Sequence, residues 1–439
     1  MLTRLALQRP ELRAWAMYDW ANSAMFAVIV TAIYPIFFAR VAYVETGGLS
    51  ANEVHARATA ISLGIIALIA PLLGVVADRS ASKKRLLFFF AAIGATACSA
   101  MFFIGPGEWR FASTLFVIAN IGATGSFVFY DSLLPHVASR EEMDQLSTSA
   151  FAMGYLGGGL LLALNLAWIQ KPEWFGLPHG EGLTPSEATL PTRLSFLSVG
   201  LWWILFSIPL LRRVPEPLVT GTQRAASFGR AFIGAFTGLR GTLRDLLRYK
   251  QAALLLLAFL LYNDGISTVI RMATSYGDEL GLNSGQMMSA ILMVQFVGIP
   301  CTLLFGWIAG RVGSKRSIVI GLIVYTCVCV LARNLETAAE FFAMAGLIAL
   351  VQGGTQALSR SLFASMIPVN KSGEFFGFFA VFDRFAGILG PLLFFQVQVW
   401  TGNVRDAVLP IIAMIVLGGV ILLFVNVEEG RRAAIGSPE

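Results

Sequence analysis

Charge is what this sequence has least of. Asp, Glu, Lys and Arg make up 13% of 439 residues, about half the share of an ordinary soluble domain. A soluble fold this size would lack the polar surface to cover itself, which excludes a water-soluble enzyme or binding domain. Histidine is nearly missing: His55, His136 and His179 all read as loop residues, with no metal or proton-relay pattern. The four cysteines (Cys98, Cys301, Cys327, Cys329) fall inside apolar segments, so packed thiols are expected rather than disulfides or ligands. No His/Glu metal spacing, Gly-x-Ser-x-Gly or phosphate loop occurs, which argues against a membrane enzyme and an ATP-driven pump, and no cofactor is expected. No basic block with interleaved aromatics stands outside the apolar runs. The net charge of +6 therefore points to membrane orientation and not to nucleic acid.

Apolar residues are abundant, at 56%, and they come in long runs. A helix of about 20 apolar residues crosses ~30 Å of hydrocarbon. Twelve runs qualify: 14–39, 58–77, 86–106, 111–134, 146–169, 194–211, 251–274, 284–309, 317–332, 341–366, 375–400 and 406–427. The first is too long for a signal peptide, lacks a small-residue cleavage site and follows Arg4, Arg9, Glu11 and Arg13. Placing the N-terminus inside puts 22 Lys and Arg in inner loops against 7 in outer ones, with 3 inside spans, so both termini are expected in the cytoplasm. A bacterial inner membrane is the expected location. The chain divides into a bundle at 1–211, a cytoplasmic linker at 212–250 and a second bundle at 251–439. Within the linker, Phe228, Phe232, Phe236, Leu239, Leu243 and Leu247 share a helical face, with Arg240, Arg244 and Arg248 on another. That pattern suits a helix flat in the headgroups, or a plain tether. The outer loop 170–191 reads as irregular.

A repeat runs through the sequence. Gly74, Arg79, Lys83 and Lys84 after span two map onto Gly306, Arg311, Lys315 and Arg316 after span eight with one offset of 232. Gly154 and Gly157 in span five map onto Gly387 and Gly390 in span eleven with an offset of 233. Two duplicated halves with binding at their interface is a transporter architecture.

The stretch Gly74-x-x-x-Asp78-Arg79-x-x-x-Lys83-Lys84-Arg85 resembles the loop signature of the major facilitator superfamily. Here the usual glycine after Asp78-Arg79 is replaced, and the second copy has Gly310 where the first has Asp78. The resemblance implies that Gly74, Asp78, Arg79, Gly306 and Arg311 belong to latches between the halves. A carboxylate at Asp78 is suited to cap a neighbouring helix N-terminus and to pair with an arginine. Tyr18-Asp19-Trp20-Ala21-Asn22-Ser23, Tyr262-Asn263-Asp264-Gly265, Gly154 to Gly159, Glu374-Phe375-Phe376-Gly377 and Gln352 to Ser361 narrow it. They look like the vacuolar amino-acid effluxer family and its bacterial relatives. That family implies amino-acid export. The proline-containing glycine motif of drug/proton antiporters is missing from span five, and span four has Asp131 where they carry an arginine.

Charges inside a membrane helix cost at least ~2.5 kcal/mol each and need a reason. Seven stand in the spans: Asp19, Asp131, Asp264, Arg271, Arg360, Asp383 and Arg384. Asp19, Asn22, Ser23 and Phe26 share a face expected to line a central cavity. Asp131 is either a cavity residue or the anchor of the end of span four. Gly265 beside Asn263 and Asp264 marks a candidate helix break; the alternative is a packing glycine, with Asp264 paired to Arg384 or Arg360. Gln352, Gln356 and Ser359 form a polar stripe ending at Arg360, a bidentate carboxylate binder. Adjacent on a helix, Asp383 and Arg384 are expected to need partners elsewhere. Arg271, near the outer end, can snorkel.

The expected fold is an all-α integral membrane protein of two pseudo-symmetric six-helix bundles, acting as a monomer. The expected function is secondary transport of a small solute by alternating access. An exporter of lipophilic compounds and a transport-inactive sensor or scaffold are the alternatives. Protons are the expected coupling ion, loaded on Asp19 with Asp131 or Asp264 as accessory, because a poorly hydrated cavity disfavours the charged carboxylate. For a zwitterion, Arg360 and Arg384 are to take the carboxylate, and Asp19 with Asn22 the ammonium, with Tyr130, Asn263 and Gln356 beside them. Phe26, Phe127, Phe129 and Tyr130 are the candidate apolar wall.

Overall fold

Among the described residues, the computed structural model has twelve helices long and apolar enough to cross a membrane, and they follow the twelve apolar runs. The structure describes residues 5–435 apart from 46–47, 218–240, 242–243, 245, 280, 283, 388 and 404. The linker face carrying Phe228, Phe232 and Phe236 lies outside the described residues, as does the Arg271 side chain.

The helices outrun the apolar stretches because their ends are polar yet still helical. Spans two, six and ten begin with capping boxes, Ser50 with Glu53, Thr184 with Glu187 and Thr337 with Glu340. Each box satisfies two of the N–H groups that a helix start leaves free. Span six consequently starts at Pro185, and a short 3-10 turn covers Pro172–Phe175, so the 170–191 stretch is less irregular than its prolines suggest. His55 and His136 are helical, in spans two and four, and only His179 stays in a loop. Cys98 and Cys329 are buried, Cys301 is half-buried, and Cys327 is exposed on an apolar surface rather than packed.

Spans one and eleven depart from regular geometry. In span one a π-helical segment, Met25–Ala32, follows the α-helix Pro10–Ala24. The β-branched run Val28 to Thr31 and Pro35, which removes an N–H, weaken the regular ladder there. Its i→i+5 bonding sets Phe26 and Thr31 on one side, and both line the central cavity. Span eleven is divided into Ser372–Phe385 and Leu389–Thr401, with Gly387 at φ 102° in the left-handed region between them.

Hydrocarbon gives no hydrophobic drive between helices, so close packing must hold the bundle together. The outer faces carry large exposed apolar side chains such as Leu68, Phe103, Leu392 and Phe424. Inside each half, the repeated glycines permit the approach. A Cβ on Gly157 would meet the Trp20 carbonyl of span one at 2.6 Å, and one on Gly390 would meet Asp264 of span seven at 3.0 Å. Equivalent glycines therefore face the first helix of their own half. Between halves, span two packs on span eleven and span five on span eight.

Candidate functional site

A cavity of about 370 Å³ lies between the halves, within the range of small-molecule sites. Pseudo-equivalent positions line it: Leu63 and Gln295 are related by 232, and Phe151 and Arg384 by 233. The two walls differ in chemistry. Span one supplies Asp19, Ser23 and Phe26 and span four supplies Phe127 and Asp131. The opposite wall supplies Asn263, Gln295, Gln352, Gln356, Asp383 and Arg384.

At one end of the cavity Arg360 of span ten crosses into the other half. Its Nη2 is 3.1 Å from Asp19 and its Nη1 is 3.1 Å from Asp131. Its Nε donates to Ser147 Oγ at 3.0 Å, and Nη2 donates to the Ser147 carbonyl at 3.2 Å. Tyr130 donates its hydroxyl to Asp19 at 3.0 Å. The Tyr130 ring is fixed by stacking on Trp15 at 4.4 Å. The guanidinium also lies over the rings of Phe151 at 4.6 Å and Trp15 at 4.9 Å. Taking such ions out of water costs several kcal/mol each, which the ion pair offsets only with additional hydrogen bonds. Tyr130 and Ser147 provide them. The alternative in which Arg360 pairs with Asp264 is corrected: its partners belong to the opposite half. Nor do Arg360 and Asp19 stand apart to bracket a solute, since here they are bonded to each other.

The other wall also corrects the sequence reading. Span seven is one continuous helix, Lys250–Glu279, and Gly265 packs on Ile415 of span twelve. The break lies in span eleven, where Asp264, fully buried, accepts the Gly387 N–H at 2.5 Å and the Gly390 N–H at 3.1 Å. Asp264 thus binds backbone donors at a helix start and is not among the cavity-lining residues, while Arg360 and Arg384 pair with other carboxylates. Asp383 and Arg384 do meet, at 3.4 Å, although they are adjacent on the helix. Asn263 donates to the remaining Asp383 oxygen at 2.9 Å.

Toward the same end as Arg360, two closures flank the cavity. In the first, Gly74 lies directly on the Gly373 carbonyl. Asp78 accepts the Gly373 and Glu374 N–H groups at 3.0 and 2.8 Å, capping the start of span eleven. Its charge partner is Lys83 at 2.8 Å, not an arginine. Lys83 also donates to Ser372, which bonds the Ser132 carbonyl. In the second closure, Gln145 of span five donates to the Gly306 carbonyl at 2.6 Å. Asp144 accepts from Ser314 and Ser361, both at 2.5 Å. Arg79 is half-buried, and Arg311 is exposed and stacked on Trp307 at 3.6 Å, so the paired arginines of the repeat lie outside these contacts.

Asp19, Asp131, Asn263, Gln356, Arg360 and Arg384 therefore share one cavity, while Asn22 bonds Ser126 inside its own half. Tyr130 is not among the cavity-lining residues but bonds Asp19 and lies 5.4 Å from the Arg360 guanidinium. Phe129 stacks on Phe90 in the core, so Phe26 and Phe127 remain of the expected wall, joined by Phe151, Tyr155, Phe259 and Phe379. Sequence reasoning missed Ser147, Asp144, Gln145, Ser314 and Ser372. Small polar residues near helix starts carry no distinctive pattern. Lys83 stood within the repeated motif and was the findable one.

The chain matches the family described as "Vacuole effluxer Atg22 like" over residues 7–435. It is 35% identical to the uncharacterized MFS-type transporter YxiO of Bacillus subtilis (strain 168), covering 94% of each chain. It is 24% identical to Autophagy-related protein 22 of Yarrowia lipolytica, over 82% of this chain and 73% of that one. Its fold is similar to the major facilitator superfamily transporter FucP in the outward conformation, with TM-score 0.70, 13% identity, and 95% and 100% of the two chains covered. The human organic anion transporter MFSD10 superposes with TM-score 0.68 and 15% identity over 94% and 100% of the chains. Twelve helices in paired bundles and a match spanning all of them place the chain in one family: it belongs to the vacuole effluxer Atg22-like family of major facilitator transporters.

Proposed function

We propose that the protein is a secondary active transporter that moves a small amino-acid-like zwitterion by alternating access, coupled to protons. The bundles at 1–211 and 251–439 rock as units around the shared cavity, in a monomer of the bacterial inner membrane with both termini in the cytoplasm. The observation that carries this reading is Arg360 bonded across the interface to Asp19 and Asp131. Two carboxylates and one guanidinium leave one negative charge uncompensated in a buried site, and a single proton cancels it. Protonation and release of Arg360 are thereby linked, which is what coupling an ion to a gate requires. The arrangement corresponds to the state closed on the side of the basic loops. The family description as an effluxer supports solute export.

Liposomes holding the purified chain test this directly. Labelled amino acids should accumulate under an imposed proton gradient. Asp19→Asn should abolish that accumulation while preserving exchange of substrate down its own gradient. Unchanged accumulation in Asp19→Asn would rule out the coupling role. Sodium is the alternative coupling ion, and replacing it in the same assay separates the two.

A further inference from the structure

Two arginines reach the cavity from the second half, and their bonding differs. A guanidinium has five N–H donors. Arg360 has four engaged, on Ser147 twice, on Asp131 and on Asp19. What remains cannot form the two parallel bonds with which a guanidinium grips a carboxylate. Arg384, by contrast, makes one loose charged contact, 3.4 Å to Asp383, among the described residues. Its Nε is buried with no hydrogen-bond partner there, a state that an incoming acceptor relieves.

The neighbourhood of Arg384 is built for one small ligand. Asp383 keeps one oxygen on Asn263 and remains about a third exposed, so it can accept a donor beside the guanidinium. Phe26 of the opposite half lies 5.9 Å from the guanidinium and supplies a flat apolar surface. Both charged side chains stand on the last turn before the break in span eleven. Asp264 holds the backbone just beyond them through Gly387 and Gly390. Such support keeps binding groups in place with little loss of freedom on ligand entry.

We infer that Arg384 with Asp383 is the ligand-reading pair of this cavity, that it takes a small carboxylate-bearing solute, and that Arg360 serves the closure alone. This rests on the reading of the cavity as a solute path. It assigns the two arginines separate tasks, one per state: Arg384 is open to ligand while Arg360 locks the far end.

The test uses the purified full-length chain in detergent or nanodiscs with four ligands of similar size: L-phenylalanine, 3-phenylpropionate, L-phenylalaninamide and phenethylamine. Thermal stabilisation and calorimetry report binding. The two carboxylates should bind and the amide and amine should bind at least tenfold more weakly. Arg384→Gln should weaken the carboxylates at least tenfold, and Arg384→Lys should recover part of the loss in a folded protein. Arg360→Lys, which loosens the closure and so shifts the state populations, should weaken carboxylate binding less than Arg384→Gln does. Carboxylate affinity unchanged in Arg384→Gln, or lost equally in Arg360→Lys, overturns the assignment, as does a wild type that binds neither carboxylate. Binding of 3-phenylpropionate without L-phenylalanine would sink the zwitterion reading and leave the Arg384 assignment standing.

Discussion

The loop after span two and the loop after span eight descend from one repeated motif, yet they close the molecule with different chemistry. The first uses charge: Asp78 and Lys83, both nearly buried, with a helix start capped by the same carboxylate. The second is bonded through hydroxyls and an amide, with the carboxylate moved from the loop to Asp144 on the partner helix. Gly310 stands where the first copy has Asp78, so the loop itself brings no carboxylate. What duplication kept is the close approach at Gly74 and Gly306. The lock around it was free to diverge, because any donor and acceptor pair excluding water can hold two helices together.

The comparison can be broken at the charged closure first. Asp78→Asn leaves Lys83 buried without its counter-ion and should weaken that closure by about 3 kcal/mol. Spin labels at Arg85 and Asn370, read by electron–electron distance measurement, should show the ends separated in most molecules. The double variant Asp78→Asn with Lys83→Gln should recover much of the loss, a coupling that a purely steric role for Asp78 would not produce. Asp144→Asn should cost less, about 1–3 kcal/mol, since hydroxyl donors lose one acceptor but no charge is stranded. Labels at Glu141 and Arg316 report that end, and an effect equal to Asp78→Asn would erase the distinction.

The glycines sharpen the same contrast. A Cβ at Gly74 meets the Gly373 backbone, which cannot yield, whereas one at Gly306 meets the Thr148 hydroxyl, which can rotate away. Gly74→Ala should therefore open its closure and Gly306→Ala should leave the distance distribution nearly unchanged. The smallest expected effect is at the linker. Glu216 accepts the Lys84 N–H at 3.0 Å beside the first closure, and burial raises its carboxyl pKa. A carboxyl raised in the fold favours the folded state below its unfolded pKa and loses that contribution as pH rises through the folded one. Wild type should thus lose stability relative to Glu216→Gln as pH increases, read as the difference in melting temperature across a pH series.

Much of the fold was legible because spanning a membrane imposes length and apolarity on each helix separately. All twelve runs became helices, and errors fell at polar ends, as at Pro185, where the Thr184 and Glu187 capping box extends span six past its apolar stretch. The constant offsets of 232 and 233 reappear as paired cavity positions and paired glycine contacts. The cavity face of Asp19 and the polar stripe ending at Arg360 were readable too, since a helix converts spacing into a face.

Partners were not readable. Arg360 lies 341 residues from Asp19 and 229 from Asp131, and nothing local distinguishes those carboxylates from Asp264 or Asp383 as its mates. Asp264 looked like the mate of Arg360 or Arg384, but both pair elsewhere, and the chain put two backbone N–H groups in front of it by breaking span eleven instead of span seven. The sequence by itself determined which segments enter the membrane and which charges need a partner there, because desolvation acts on each residue wherever it goes. Only the tertiary structure decided which charges satisfy each other, because a hydrogen bond depends on ångström distances between helices that the order of residues along one helix does not contain.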